Sequence, residues 1–157
     1  MTQWLSESEQ NSWRAWLDAS RLLMAETNRE LLEGHGLSIA DYEILVQLSE
    51  NPERRMRMSE LAERTFSSRS RLSHQIDRME KAGLVEREAC TVDARGLWAV
   101  LTEQGWAKIV EAAPDHVASV RRHLVDLLSA EEFLALGAAC RKVVDHLDAD
   151  GEKSFPH

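Results

Sequence analysis

Residues 67–78, SSRSRLSHQIDR, hold the densest set of side chains in this sequence that can do chemistry. Ser68, Arg69, Ser70, Arg71, Ser73, His74 and Arg78 fall on or beside one helical face, and Leu72, Ile76 and Met79 form the opposite stripe. A guanidinium is a fork of donors that fits a phosphate, or the O6/N7 edge of guanine, with two hydrogen bonds. Serines are short donors that let a helix approach a duplex closely, and His74 can donate to a base or a phosphate. A helix that is merely solvated mixes in Glu and Lys. Residues 67–73 instead carry four serines, two arginines and no acid. Asp93 and Arg95 form a second group, in a seven-residue loop between two strand-like runs. An Arg at a loop tip can enter a minor groove, whose narrow walls favour its charge. Asp93 can hold it in pose by accepting from it or from the loop backbone. Asp-x-x-Gly also suits an ordinary turn, and the two readings are compatible. Ser70, His74 and Asp77 share a helix face, but side chains radiating from one exposed helix make neither a pocket nor an oxyanion hole, so a catalytic triad is rejected.

Positioning these groups takes a helix, a turn, a second helix and a strand–loop–strand, and residues 58–102 read in that order. Ser59 is expected to cap SELAERT, whose inward residues are Leu61 and Ala62. Thr65-Phe66-Ser67 makes the turn, Ser67 or Ser68 caps a helix over about 68–82, and Gly83 ends it. Residues 84–88 and 96–101 have strand length. Upstream, Ser6 and Glu9 form a capping box. Trp13, Trp16, Leu17, Leu23, Met24, Leu31 and Leu32 then predict one long helix ending near Gly34 or Gly36. Ser38 and Asp41 open a buried helix that Asn51-Pro52 stops, and residues 53–57 read as a polar loop leading to a very short strand at best. Downstream, Thr102 caps a helix running from Trp106 through Leu124, Leu127 and Leu128, which Pro114 should bend or split. Ser129 and Glu132 open a last helix with Phe133, Leu134, Leu136, Val143, Val144 and Leu147, before a polar, fraying end. The outer helices carry more apolar surface than a small reading head needs, and a partner chain is the natural cover.

With 157 residues, 43% apolar and 29% charged, the chain has the size and composition of one globular domain. No apolar run approaches the ~18 residues of a membrane span, and the start lacks the basic and apolar blocks of a secretory signal, so a cytoplasmic location is expected. Cys90 and Cys140 have no paired spacing, which excludes a disulfide framework and a zinc knuckle. The net charge of −8 conceals a division. Between Arg54 and Arg95 there are ten Lys/Arg and seven Asp/Glu; out of 19 and 27 in the whole chain, nine and twenty remain elsewhere. A mildly basic segment in an acidic body suits a protein that meets phosphate with one face.

The segment from SELAERT, through the Ser-rich helix ending IDRMEKAGLVER, to DARG, the LT at Leu101-Thr102 and Gly105, resembles the multiple-antibiotic-resistance regulator (MarR) family. The resemblance implies a mainly α fold with a small β-hairpin wing: a winged helix-turn-helix lobe (38–105) and a helical dimerisation region (6–36 and 103–148) in one domain of 1–157. It implies a homodimer whose recognition helix reads the major groove of double-stranded DNA, with the wing residues falling on Asp93 and Arg95. A sequence-specific regulator is expected, a repressor on a near-palindromic operator. The alternative is a winged-helix protein-interaction module without DNA readout. Family members often bind small aromatic acids; Trp13, Trp16, Tyr42 and Trp106 are the candidate contacts, with Arg14 or His35 for a carboxylate. No cofactor and no metal is expected. His116 and His123 are too far apart in sequence for a helical metal pair, and Cys90 is not in the first helix, where oxidation sensors of the family keep theirs. Leu97 and Trp98 depart from the family by standing where basic residues are common after the wing arginine, which leaves the wing to Arg95 alone; Ala99 replaces a commoner Val.

Overall fold

The structure is a computed structural model and describes residues 1–92 and 96–149. Its elements are α1 (Glu7–His35), α2 (Ile39–Ser49), β1 (Arg55–Arg57), α3 (Met58–Arg64), α4 (Arg69–Lys81), β2 (Val85–Ala89), β3 (Leu97–Leu101), α5 (Glu103–His123) and α6 (Ala130–Ala149). The three strands form one antiparallel sheet in the order β1-β3-β2. The fold is a winged helix-turn-helix with long helices at both ends, and the wing is a three-stranded sheet, wider than the hairpin expected from sequence.

Local chemistry sets most of the ends. The Ser6 hydroxyl accepts from Glu9 N–H while the Glu9 carboxylate accepts from Ser6 N–H, a complete capping box. Ser38, Ser68 and Thr102 accept in the same way from Asp41, Arg71 and Gly105 N–H. The Ser129/Glu132 pair closes reciprocally ahead of α6. Helix α3 differs from expectation: Arg57, not Ser59, is its N-cap, and no side chain caps it. The physical reason is that β1 runs straight into the helix, so the strand's own last residue supplies the extended cap conformation and Ser59 already lies in the first turn. Pro114 does not split α5, which is continuous from Glu103 to His123. Val110 and Pro114 are both exposed, so the carbonyl left without its N–H partner faces water. Leu127 lies past the end of α5, in a 3-10 turn (Val125–Leu127), and Leu124 and Leu128 flank that turn.

The core sits where α2, α3, α4 and the sheet meet. Leu45, Leu48, Met56, Leu61, Leu72, Ile76, Val85 and Ala99 are at most 1% exposed and knit α2, α3, α4 and the sheet into one cluster. Gly83 ends α4 at φ +75°, a left-handed turn that a Cβ would strain. Gly105, in the first turn of α5, is where that helix crosses the α4–β2 connection: a Cβ there would stand 2.1 Å from the Leu84 carbonyl oxygen. The outer helices are covered far less. Only Thr27 and Leu31 of the 29 residues of α1 are buried, and no described residue of α6 is. Helix α1 is fastened to α5 by polar links: Arg122 donates to Glu30 at 2.8 Å, and His35 Nε2 lies 2.9 Å from Asp115.

Candidate nucleic-acid interface

Leu72, Ile76 and Met79 bury one side of α4, and that alone decides which side chains are left outside. Arg69, Ser70, Arg71, His74 and Arg78 are exposed. Ser68 and Ser73 are half-buried. The Ser68 hydroxyl is engaged as the cap of α4, accepting from Arg71 N–H at 3.2 Å. Ser68, Ser70, Arg71, His74, Gln75 and Arg78 line an open groove beside Ala40 of α2. Arg78 is tethered to the half-buried Asp41 at 3.6 Å, and the buried Gln75 amide donates to the same carboxylate at 3.1 Å. That shared acid fixes α4 against the start of α2. The first turn of α4 has no acidic residue, so the positive end of the helix dipole and the arginines reinforce each other. Asp93 and Arg95 lie outside the described residues.

Sequence reading missed three arginines. Arg87 of β2 is the cross-strand partner of Ala99 and shares its sheet face, and it bonds to Ser73, Asp77 and Glu80 of α4. Arg55 and Arg57 alternate with the fully buried Met56 in β1, and their guanidinium carbons stand 4.8 and 5.3 Å from the Trp98 ring centroid on β3. Trp98 therefore does not strip the wing of cations. It is the ring against which two of them rest, from the neighbouring strand. The period-two pattern Arg-Met-Arg was the available signal, hidden by the shortness of the strand. A further hollow beside the N-terminus of α4 is lined by Arg57, Ser59, Arg69, Ser73, Arg87 and Gly96, so β1, α4 and the wing base share one basic concavity. Cys90 is buried at that base, where its sulfur accepts from Arg57 at 3.3 Å and its N–H donates to Gly96 O at 2.8 Å.

The aromatic candidates for a small ligand are dispersed. Trp13 and Trp16 are about half exposed on α1, at 52% and 47%. Tyr42 is buried with its ring 4.4 Å from that of His116, and Trp106 is covered by Arg54 at 3.9 Å. Arg14 reaches Gln10, 3.5 Å away. The His35 ring, 7% exposed, stands between Asp115 and Glu111. A small cavity of about 170 Å³ lies between α1 and α5, lined by Thr27, Glu30, His35, His116, Ser119 and Arg122 among others, and none of the four aromatics lines it. The Ser119 hydroxyl, with His123 and Arg122, holds the Glu30 carboxyl down at about 2, while burial lowers the pKa of His116. Glu26, Glu30 and His123 offer ligand atoms within 4.8 Å of one another, but Arg29 neutralises Glu26, and Arg122 and His123 already occupy Glu30.

Comparison with known proteins agrees with this architecture. Residues 35–96 match the family model described as MarR family. The transcriptional repressor MprA of Escherichia coli is 30% identical over 129 residues, 82% of this chain and 72% of that protein. The repressor YetL of Bacillus subtilis is 29% identical over 87 residues, 55% of this chain and about half (52%) of YetL. Among solved structures, AbsC, a MarR family regulator from Streptomyces coelicolor, superposes with a TM-score of 0.91 at 51% identity, over 94% of this chain and 99% of AbsC. Sco3205 from the same organism, solved in complex with DNA, gives 0.92 at 41% identity, over 94% of this chain and 92% of Sco3205.

Proposed function

The chain belongs to the MarR family of transcriptional regulators, not to a family of enzymes, and on that premise we propose that it is a sequence-specific DNA-binding repressor acting as a homodimer. The observation that carries the reading is the α4 face: Arg69, Ser70, Arg71 and His74 stand exposed opposite a buried apolar stripe, with no acid in the first turn. A helix of that kind enters a major groove, and its arginines and serines meet phosphates and base edges. Arg95, with Asp93 to hold it, adds a minor-groove contact from the wing tip.

The lobe 38–105 does the reading, and residues 6–36 with 103–148 pair two copies. The uncovered apolar surface of α1 and α6 supports that pairing. A two-fold dimer sets its recognition helices roughly 34 Å apart, one turn of duplex, so the operator is a near-palindrome. A small aromatic acid between the helical region and the reading lobe releases the DNA; Trp13, Trp16, Tyr42 and Trp106 remain its candidate contacts. Among the described residues no helix is long and apolar enough to cross a membrane.

Fluorescence anisotropy with a duplex from the protein's own upstream region tests the reading. Tight binding that outcompetes bulk DNA and falls steeply with salt is expected. Equal affinity for every duplex would instead leave a winged-helix interaction module. Titrating phenolic acids into the complex tests release.

A further inference from the structure

Arg87 occupies the middle of β2, on the sheet face turned toward α4, with a side-chain exposure of 18%. A half-buried guanidinium needs acceptors, and it finds them along one helix. Nη1 lies 2.7 Å from Asp77 and 3.0 Å from Glu80. The Arg87 backbone N–H donates to the same Glu80 carboxylate at 3.0 Å. Nη2 donates to Ser73 twice, to its carbonyl at 2.9 Å and to its hydroxyl oxygen at 3.3 Å. Both acids of α4 are thus paired from the sheet side by one guanidinium, which offsets one of their two charges.

The bond to the Ser73 hydroxyl has a second consequence. A serine hydroxyl has one proton to give and lone pairs that accept. Arg87 occupies the accepting side, and among the described residues Ser73 donates to nothing. Ser73 also borders the basic concavity it shares with Arg57, Arg69 and Gly96. We propose that Arg87 is a positioning residue for base readout: anchored on Asp77 and Glu80, it holds the Ser73 oxygen so that the hydroxyl proton is presented to a hydrogen-bond acceptor on a base edge. The proposal rests on the DNA reading of α4. In the major groove the eligible acceptors are purine N7, guanine O6 and thymine O4, so Ser73 discriminates against a base that offers only a donor at that place. Lysine cannot replace Arg87 here, because a single ammonium does not span the acids and the serine as the planar fork does.

Selection of sites from random duplex DNA by the full chain, followed by affinity measurements on single-base variants of the selected site, tests this. The proteins are wild type, Ser73→Ala, Ser73→Thr, Arg87→Lys and Ser73→Ala/Arg87→Lys, with Asp77→Asn as a milder disturbance of the anchor at a half-exposed position. Ser73→Ala and Arg87→Lys each lose about tenfold of discrimination at the same single base position. The double variant is no worse there than either alone, Ser73→Thr keeps the preference because it keeps a hydroxyl, and Asp77→Asn relaxes it partially. The assignment is overturned if Arg87→Lys and Asp77→Asn, folded by circular dichroism, retain the wild-type preference where Ser73→Ala relaxes it. It is equally overturned if the effects of the two single changes multiply, or if Ser73→Ala lowers affinity alike for every sequence. A wild-type protein that selects no site overturns the DNA reading itself, a result distinguishable from these.

Discussion

Single residues carry two consequences that can be measured without DNA. Gly105 lies where α5 meets the backbone after α4, and any Cβ would meet the Leu84 carbonyl oxygen as well as the Leu101 side chain, and the carbonyl cannot swing away. Gly105→Ala therefore forces a backbone shift. It is expected to lower stability by about 1–3 kcal/mol, the usual cost of overpacking, read as a lower urea midpoint at unchanged slope. An unchanged midpoint would mean that the helix slides at no cost. His116 shows the electrostatic counterpart. Its ring is packed on Tyr42, and burial lowers its pKa below the ordinary 6.5. The folded chain thus favours the neutral ring, while the unfolded chain takes up a proton near 6.5. The contribution of His116 is complete above that pH and is lost as the pH falls below it toward the lowered folded value. Between pH 7.5 and 5.5 the melting temperature of wild type should drop further than that of His116→Gln. Parallel pH profiles would show that the ring does not sense the difference.

Elements were legible in the sequence wherever one local rule acted unopposed. The capping boxes at Ser6 and Ser129 and the caps at Ser38, Ser68 and Thr102 were readable because side chain and backbone satisfy each other within four residues. The buried stripe of α4 was readable from helical spacing. What escaped required a partner distant in sequence. Strand β1 is three residues long and exists because β3 pairs with it, so Arg55 and Arg57 read as a polar loop until Trp98 is set beside them. Arg87 escaped because its acids lie on the preceding helix. The expected cap at Ser59 failed for the same reason, since the neighbouring strand, not the local motif, sets the start of α3. The wing thus depends on a cross-strand contact that Trp98→Ala removes. That change is expected to remove the ring beneath Arg55 and Arg57 and to weaken DNA binding several-fold with little change in base preference, since cations above a ring meet phosphate and not base edges. Arg71→Ala should weaken binding on all sequences and reduce the salt slope by about one. A salt titration of both variants on a preferred and a scrambled duplex checks the pair, and a loss confined to one sequence would reassign the residue to base reading.

At the scale of the molecule the questions are what covers the outer helices and how an acidic chain meets DNA. Leu22, Leu134, Val143 and Leu147 are each more than half exposed, at 72%, 69%, 58% and 67%. A lone chain leaving this much apolar surface in water would associate, and two long helices from opposite ends of the chain suit a self-complementary, two-fold interface. The charge division supports the same geometry. Acidic residues dominate outside residues 54–95, so on the proposed reading phosphate is repelled from the helical region and DNA is met by the lobe 38–105. In the proposed dimer, pairing through the acidic region would leave the two α4 helices to meet DNA. Leu134→Glu on α6 places a charge in the proposed interface at a position that is 69% exposed in the single chain. The variant should keep its helical circular dichroism, run as a monomer in light scattering, and bind a single half-site with the weak affinity of one lobe. On a two-half-site duplex it should lose the avidity that linkage supplies, a factor of 10² or more. If Leu134→Glu remains a dimer with full affinity, α6 is not the pairing surface and the apolar face of α1 must carry the interface alone.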